Sequence, residues 1–114
     1  MTDLDMPPAL RQALAHHQAG EHEQAEQGYL GVIEEQPDNL DALHLLSVLR
    51  LQEGRPEDAL IYIERVIHIA PDAAEAFGNK GTALQAMERY GEAAFAFRTA
   101  IKHDPQAAHH HYNL

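Results

Sequence analysis

The sequence predicts an all-α protein: an α-α superhelix, in which three helix–turn–helix repeats stack side by side and a truncated seventh helix begins. Two observations predict it. The first is recurrence at a step of 34 residues, seen in Pro37, Pro71 and Pro105, in Ala25, Ala59 and Ala93, in the small residues Ala13, Ser47 and Gly81, and in the large apolar Tyr29, Ile63 and Phe97. Self-similarity at such a period marks a solenoid. The second is apolar spacing that fits helices on either side of a central turn in each period. The repeats are set at 6–39, 40–73 and 74–107, after a flexible N-terminus at 1–5 and before a partial cap at 108–114.

Taken in order, the opening MTDLDMPPAL holds acids and prolines but no basic segment followed by an apolar one, so it is not a secretory signal. The first repeat turns at Gly20. In the second, LDALHLLSVLRLQEG carries Leu40, Leu43, Leu46, Val48 and Leu51, a broad apolar face at helical spacing. Gly54 ends that helix, since glycine enters the left-handed region without a Cβ penalty. Pro56 suits the first turn of the next helix, where its missing N–H is not needed. That helix runs to Pro71, which stops it. Asp38 or Asn39, and Asp72, stand where N-caps of the following helices are wanted. Connections of a few residues make neighbouring helices antiparallel.

The recurrent small residues have a physical cause. Ala13, Ser47 and Gly81, with Ala25, Ala59 and Ala93, are expected where a first helix crosses its own second helix too closely for a bulky side chain. Tyr29, Ile63 and Phe97 are expected to fill the space between one repeat and the next.

This pattern resembles the tetratricopeptide repeat, a 34-residue helix–turn–helix unit, over residues 6–107. There are departures. Ala9 and Gln12 stand where the family prefers large apolar residues. Lys80 falls at a usual leucine position, where its stem can pack while its head reaches water. Glu88 replaces the turn glycine. A non-glycine residue in the left-handed region costs about 1 kcal/mol, so that turn is expected to be shaped differently. The closing AHHHYNL is expected to be native sequence, with HYNL the counterpart of FGNK at 77–80, and the chain is read as cut inside a fourth repeat. An uncovered C-terminal edge around Phe95 and Phe97 would then invite self-association.

The resemblance implies that the first helices line a concave groove. Its positions are Leu10, Leu14, His17 and Gln18 in the first repeat. They are Asp41, His44, Leu45, Val48, Leu51 and Gln52 in the second. In the third they are Glu75, Gly78, Asn79, Thr82, Gln85 and Ala86, with Asn113 beyond. Leu14, Leu45, Val48 and Leu51 make one half apolar, fit either for a partner's apolar side chain, for burial under residues 1–8 or for self-association. The excess of leucine on more than one face of the second repeat's first helix prompts that reading. Asn79 and Asn113 resemble rungs of the asparagine ladder in O-linked N-acetylglucosamine transferases and their bacterial relatives. Modules of this family that clamp a chaperone's C-terminal carboxylate use concave lysines and arginines. This concave set has neither, and Asp41 and Glu75 are acidic, so no such clamp is expected.

Composition narrows the partner. The 114 residues suffice for one domain, and 45% are apolar. A net charge of −10 repels nucleic acid and anionic lipid. No apolar run approaches the roughly 20 residues that span a bilayer, and a cytoplasmic setting is expected. Without cysteine there is no thiolate nucleophile and no Cys-based zinc site. Nine histidines, among them His16, His17, His22 and His109–His111, raise a metal question. Adjacent helical residues diverge by roughly 100°, so neither run converges on an ion. His17 and His44 are expected to meet across the groove at most as a weak, adventitious pair. No catalytic motif or enclosed pocket appears.

The expected function is therefore non-catalytic, with no cofactor and no metal. The module would bind a protein or peptide, or a partner helix, in the groove, as the N-terminal part of a larger bacterial-type protein, with a glycosyltransferase-like chain as the resemblance implies. The alternative is a stand-alone adaptor or self-assembling scaffold. Leu51→Glu is expected to abolish binding with little loss of fold.

Overall fold

Glycines, prolines and one asparagine place the helix ends. The computed structural model describes residues 6–106. They form six helices: α1 (Pro8–Gln18), α2 (His22–Glu35), α3 (Leu40–Gln52), α4 (Pro56–Ile69), α5 (Ala74–Ala86) and α6 (Tyr90–His103). Residues 1–5 and the expected seventh helix, with Asn113 and His109–His111, lie outside the described residues.

All three turns within helix pairs close alike. Gly20 and Gly54 take φ of +80° and +72°. The N–H groups of Glu21 and Arg55, one residue on, donate back to the carbonyls of His16 and Arg50 at 2.8 and 2.9 Å. This satisfies helix-end carbonyls. The expectation of a different third turn is corrected: Glu88 takes φ +60°, and Arg89 N–H reaches the Leu84 carbonyl at 2.8 Å. The shape is kept and the side chain bears the strain.

Pro56 opens α4 and Pro8 opens α1. The Asn39 Oδ1 caps α3 by accepting from Ala42 N–H at 2.9 Å. The expected Asp72 cap is corrected, because the capping position of α5 is Ala73, with no side-chain bond. Asp72 sits one residue too early for its carboxylate to serve as the cap.

The helices pack in antiparallel pairs, α1 with α2, α3 with α4 and α5 with α6. α2 lies on α3 and α4 on α5, while α1 touches α3 and α3 touches α5. The first helices thus form the inner layer. Helix α3 is packed by α1, α2, α4 and α5. Its Leu43, Leu46 and Leu49 are fully buried, each worth roughly 1.5–3 kcal/mol. This central position is sufficient cause for its leucine content.

The close approaches differ in part from expectation. Ala13 is indeed one, and its partner is Gly28: a Cβ there would lie 2.6 Å from the Ala13 Cβ. A Cβ on Gly81 would lie 2.6–2.8 Å from the Phe97 ring. Phe97 therefore fills space inside its own helix pair; the repeat expected to follow it lies outside the described residues. Ile63 shares a buried cluster with Ala59 and Ala83, so it does join α4 to α5. Lys80 Nζ meets Glu64 Oε1 of α4 at 3.0 Å.

The expected bare edge at Phe95 and Phe97 adjoins residues that lie outside the described ones. Phe97 is buried. Phe95 is 67% exposed, but Ile61, 34 residues earlier and followed by a full helix pair, is 59% exposed. Exposure there belongs to the outer face of the second helices.

Candidate binding groove

The inner layer is built by α1, α3 and α5, and the groove positions distribute unevenly over it. Leu10 is fully buried in the main cluster and cannot meet a ligand. This corrects its placement: an early α1 residue serves the core between α1, α2 and α3. Leu14, Leu45, Val48 and Leu51 are half-buried, apolar surface still open to water. Leu51 also packs against the cluster of Ala59, Ile63 and Ala83. The expectation that Leu51→Glu spares the fold is therefore corrected, since the carboxylate would be pushed against an apolar seam. Val48 lies outside the buried clusters of the described residues.

His17 is pinned at the junction of three helices. Its Nε2 donates to Gln52 Oε1 of α3 at 2.6 Å. With the amide oriented oxygen-first, Nδ1 is the acceptor, and the Tyr29 hydroxyl of α2 donates to it at 2.8 Å. The rings of His17 and Tyr29 meet edge-on at 5.7 Å. Burial pushes the Tyr29 hydroxyl up to about 12. This clasp escaped the sequence reading because its members are 12 and 35 residues apart on three helices.

His44 instead faces α5. Asn79 Nδ2 donates to its Nδ1 at 3.4 Å, and Glu75 Oε1 lies 3.8 Å from its Nε2. His17 and His44 are thus engaged by different partners, and the expected pairing across the groove is not formed. The Asn79 amide, the one ladder rung among the described residues, is turned toward His44. Thr82 and Gln85 are exposed, and the Thr82 hydroxyl donates back to Gly78 O at 3.1 Å. Gln18 and Ala86 are exposed, whereas Gly78 is buried.

Behind the groove, Arg50 is 5% exposed and fully paired: Nη2 donates to Glu26 Oε1 at 2.9 Å and Nη1 to Glu53 Oε1 at 3.2 Å. The hydrogen bond from Arg50 holds the Glu26 carboxyl below its ordinary value, against the opposing effect of burial. Arg50 is raised by the same bond. This basic residue of α3 is spent on α2 and offers no charge to the groove.

Among the described residues no helix is long and apolar enough to cross a membrane. Nor does any group of three or more His, Cys, Asp or Glu side chains gather as metal ligands would.

Two family models described as tetratricopeptide repeat match residues 10–74 and 45–111. An uncharacterized protein, y4yS of Sinorhizobium fredii, is 28% identical over 82 residues, 72% of this chain and 45% of that protein. The chain thus spans about half the length of this curated relative. Residues 41–end of MamA from Desulfovibrio magneticus superpose with a TM-score of 0.83 at 23% identity, covering 92% of this chain and 60% of that one. The Arabidopsis OM64 TPR domain gives 0.82 at 22%, covering 86% and 81%. The first TPR of Spaghetti (RPAP3), bound to an HSP90 peptide SRMEEVD, gives 0.85 at 13%, covering 92% and 85%. At these identities the likeness is one of fold.

Proposed function

The chain belongs to the tetratricopeptide repeat family, and from that premise we propose that it is a non-catalytic module that holds a peptide or partner helix against α1, α3 and α5. One observation carries the reading: Leu14, Leu45, Val48 and Leu51 remain partly exposed on the inner layer, although Leu43, Leu46 and Leu49 of α3 are fully buried. Apolar surface retained in a concavity is what a partner side chain would cover. Similar folds carrying a peptide support it, as the neighbour bound to SRMEEVD does.

The ligand differs from that acidic peptide. The inner positions contain no lysine or arginine, Asp41 and Glu75 are acidic, and the whole chain carries −10. A neutral or basic segment with an apolar anchor suits this surface. Within a longer protein, such a module would select and position protein substrates for an effector domain, a glycosyltransferase being one class that fits.

The test is selection from a random-peptide library, with the recovered peptides re-measured on Val48→Glu. Binding lost by about tenfold or more, with helix content unchanged by circular dichroism, supports the groove. Equal binding by a folded Val48→Glu protein overturns it.

A further inference from the structure

The clasp of His17 has a direction, and the direction is set from its buried end. Tyr29 is fully buried, and His17 Nδ1, at 2.8 Å, is the one acceptor its hydroxyl meets among the described residues. Burial holds the proton on that hydroxyl. A buried O–H that fails to donate costs free energy, so the proton points at Nδ1. A neutral imidazole whose Nδ1 accepts carries its own proton on Nε2. Nε2 lies 2.6 Å from the Gln52 carboxamide, which therefore turns its oxygen toward the ring. The Gln52 Nε2 group is what remains. Its N–H donors have no partner among the described residues, and the side chain is exposed.

Helix register fixes where these donors stand. Val48 lies four residues before Gln52 on α3, and Leu14 lies three before His17 on α1, so each shares a face with its polar neighbour. Leu14 and Val48 are also 34 residues apart, equivalent positions of the first two repeats. The bond from His17 to Gln52 ties the two faces together. The half-buried Leu14 and Val48 thus lie one helical turn before the free donors.

Resting on the groove reading above, we propose that Gln52 is a donor-only anchor, oriented by Tyr29 through His17, which takes a main-chain carbonyl of the bound peptide beside the apolar side chain seated on Leu14 and Val48. Gln52 touches the ligand, whereas His17 and Tyr29 are positioning residues. An anionic acceptor suits this place badly, because the inner positions hold no lysine or arginine, and Asp41 and Glu75 share the layer. A neutral carbonyl asks only for the donor, and a peptide carries one next to every apolar side chain. The anchor reads the course of the peptide backbone, and the apolar pair reads the side chain.

The probe is a lysine- or arginine-bearing peptide selected from the random library on the parent chain. It is titrated into the ¹⁵N-labelled parent, Gln52→Glu and Tyr29→Phe. Glutamate keeps nearly the same shape and an oxygen for His17 but offers no donor. Its added charge alone would tighten the binding of a basic peptide. The expected result has the opposite sign: binding weaker by about three- to tenfold, the worth of one hydrogen bond. In the parent the Gln52 side-chain amide signals should shift on titration. A thioamide in place of the carbonyl beside the apolar anchor should weaken binding by a similar factor. The ring nitrogens of His17, recorded without peptide, should report a proton on Nε2 in the parent and a mixture of tautomers in Tyr29→Phe. That variant should bind more weakly at unchanged helix content. Equal or tighter binding by Gln52→Glu, Gln52 amide signals that stay still, or a His17 proton on Nδ1 in the parent would each overturn the proposal. Sensitivity to a polar side chain of the peptide, with none to any thioamide, would give the donors to a side-chain acceptor and overturn it as well. Binding lost in Val48→Glu but kept in Gln52→Glu leaves the groove standing and removes the anchor; binding kept in both removes both.

Discussion

Gly28 faces Ala13 so closely that a methyl group on it would lie 2.6 Å from the Ala13 Cβ and 3.3 Å from its Cα. Both atoms are fixed to backbone, so no rotamer change relieves the clash. Gly31, one turn on in the same helix, has nothing within 4 Å of the corresponding point. Gly28→Ala should therefore destabilise the fold by about 1–3 kcal/mol through overpacking. Gly31→Ala should stabilise it by about 0.5–1 kcal/mol through helix propensity. Urea denaturation of the two variants checks the opposite signs.

Glu88 holds the left-handed conformation that Gly20 and Gly54 hold in the other pairs. Its cost is conformational, because the third turn keeps the hydrogen bond from Arg89 to Leu84. Glu88→Gly should raise stability by about 1 kcal/mol. A thermal melt that moves downward would show that the glutamate side chain contributes more than its backbone strain removes.

The Arg50–Glu26 pair gives the fold an acid-sensitive seam between α2 and α3. Glu26 has a folded value below its ordinary 4.5, so its contribution is complete above about 4.5 and is lost as pH falls through the lowered value. Glu26→Ala should cost about 1–3 kcal/mol near neutrality, and the gap from the parent chain should narrow in acid. Tyr29 acts at the other end. Its value is raised from 10 to about 12, so its stabilising effect is complete below 10 and fades as pH rises toward 12. Stability curves against pH in urea test both arms. A gap for Glu26→Ala that stays constant down to about pH 3 would contradict the assignment.

The stack of helix pairs is legible in the sequence because each pair repeats the same steric problem. The 34-residue step of Pro37 and Pro71 marks helix stops, and Gly20 and Gly54 mark turns that only a residue tolerant of positive φ can make. Glu88 breaks that rule because neighbouring packing over-determines a turn that propensity alone disfavours. Asp72 misleads because capping depends on a single-residue register, which Asn39 meets and Asp72 does not. Contacts between residues distant in sequence were not legible. His17, Tyr29 and Gln52 share no spacing rule, and Gly28 looks like a weak point of α2 until Ala13 is seen against it. For the groove, resemblance supplies positions but not burial, so the sequence does not distinguish the buried Leu10 from the open Leu14.

The most direct test of the central claim is amide mapping with a library-selected peptide on the isotopically labelled chain. The account predicts perturbations gathered on Leu14, Leu45, Val48 and Gln52 of α1 and α3, with Thr82 of α5 at the margin. Perturbations confined to α2, α4 and α6, with the inner layer silent, would contradict it.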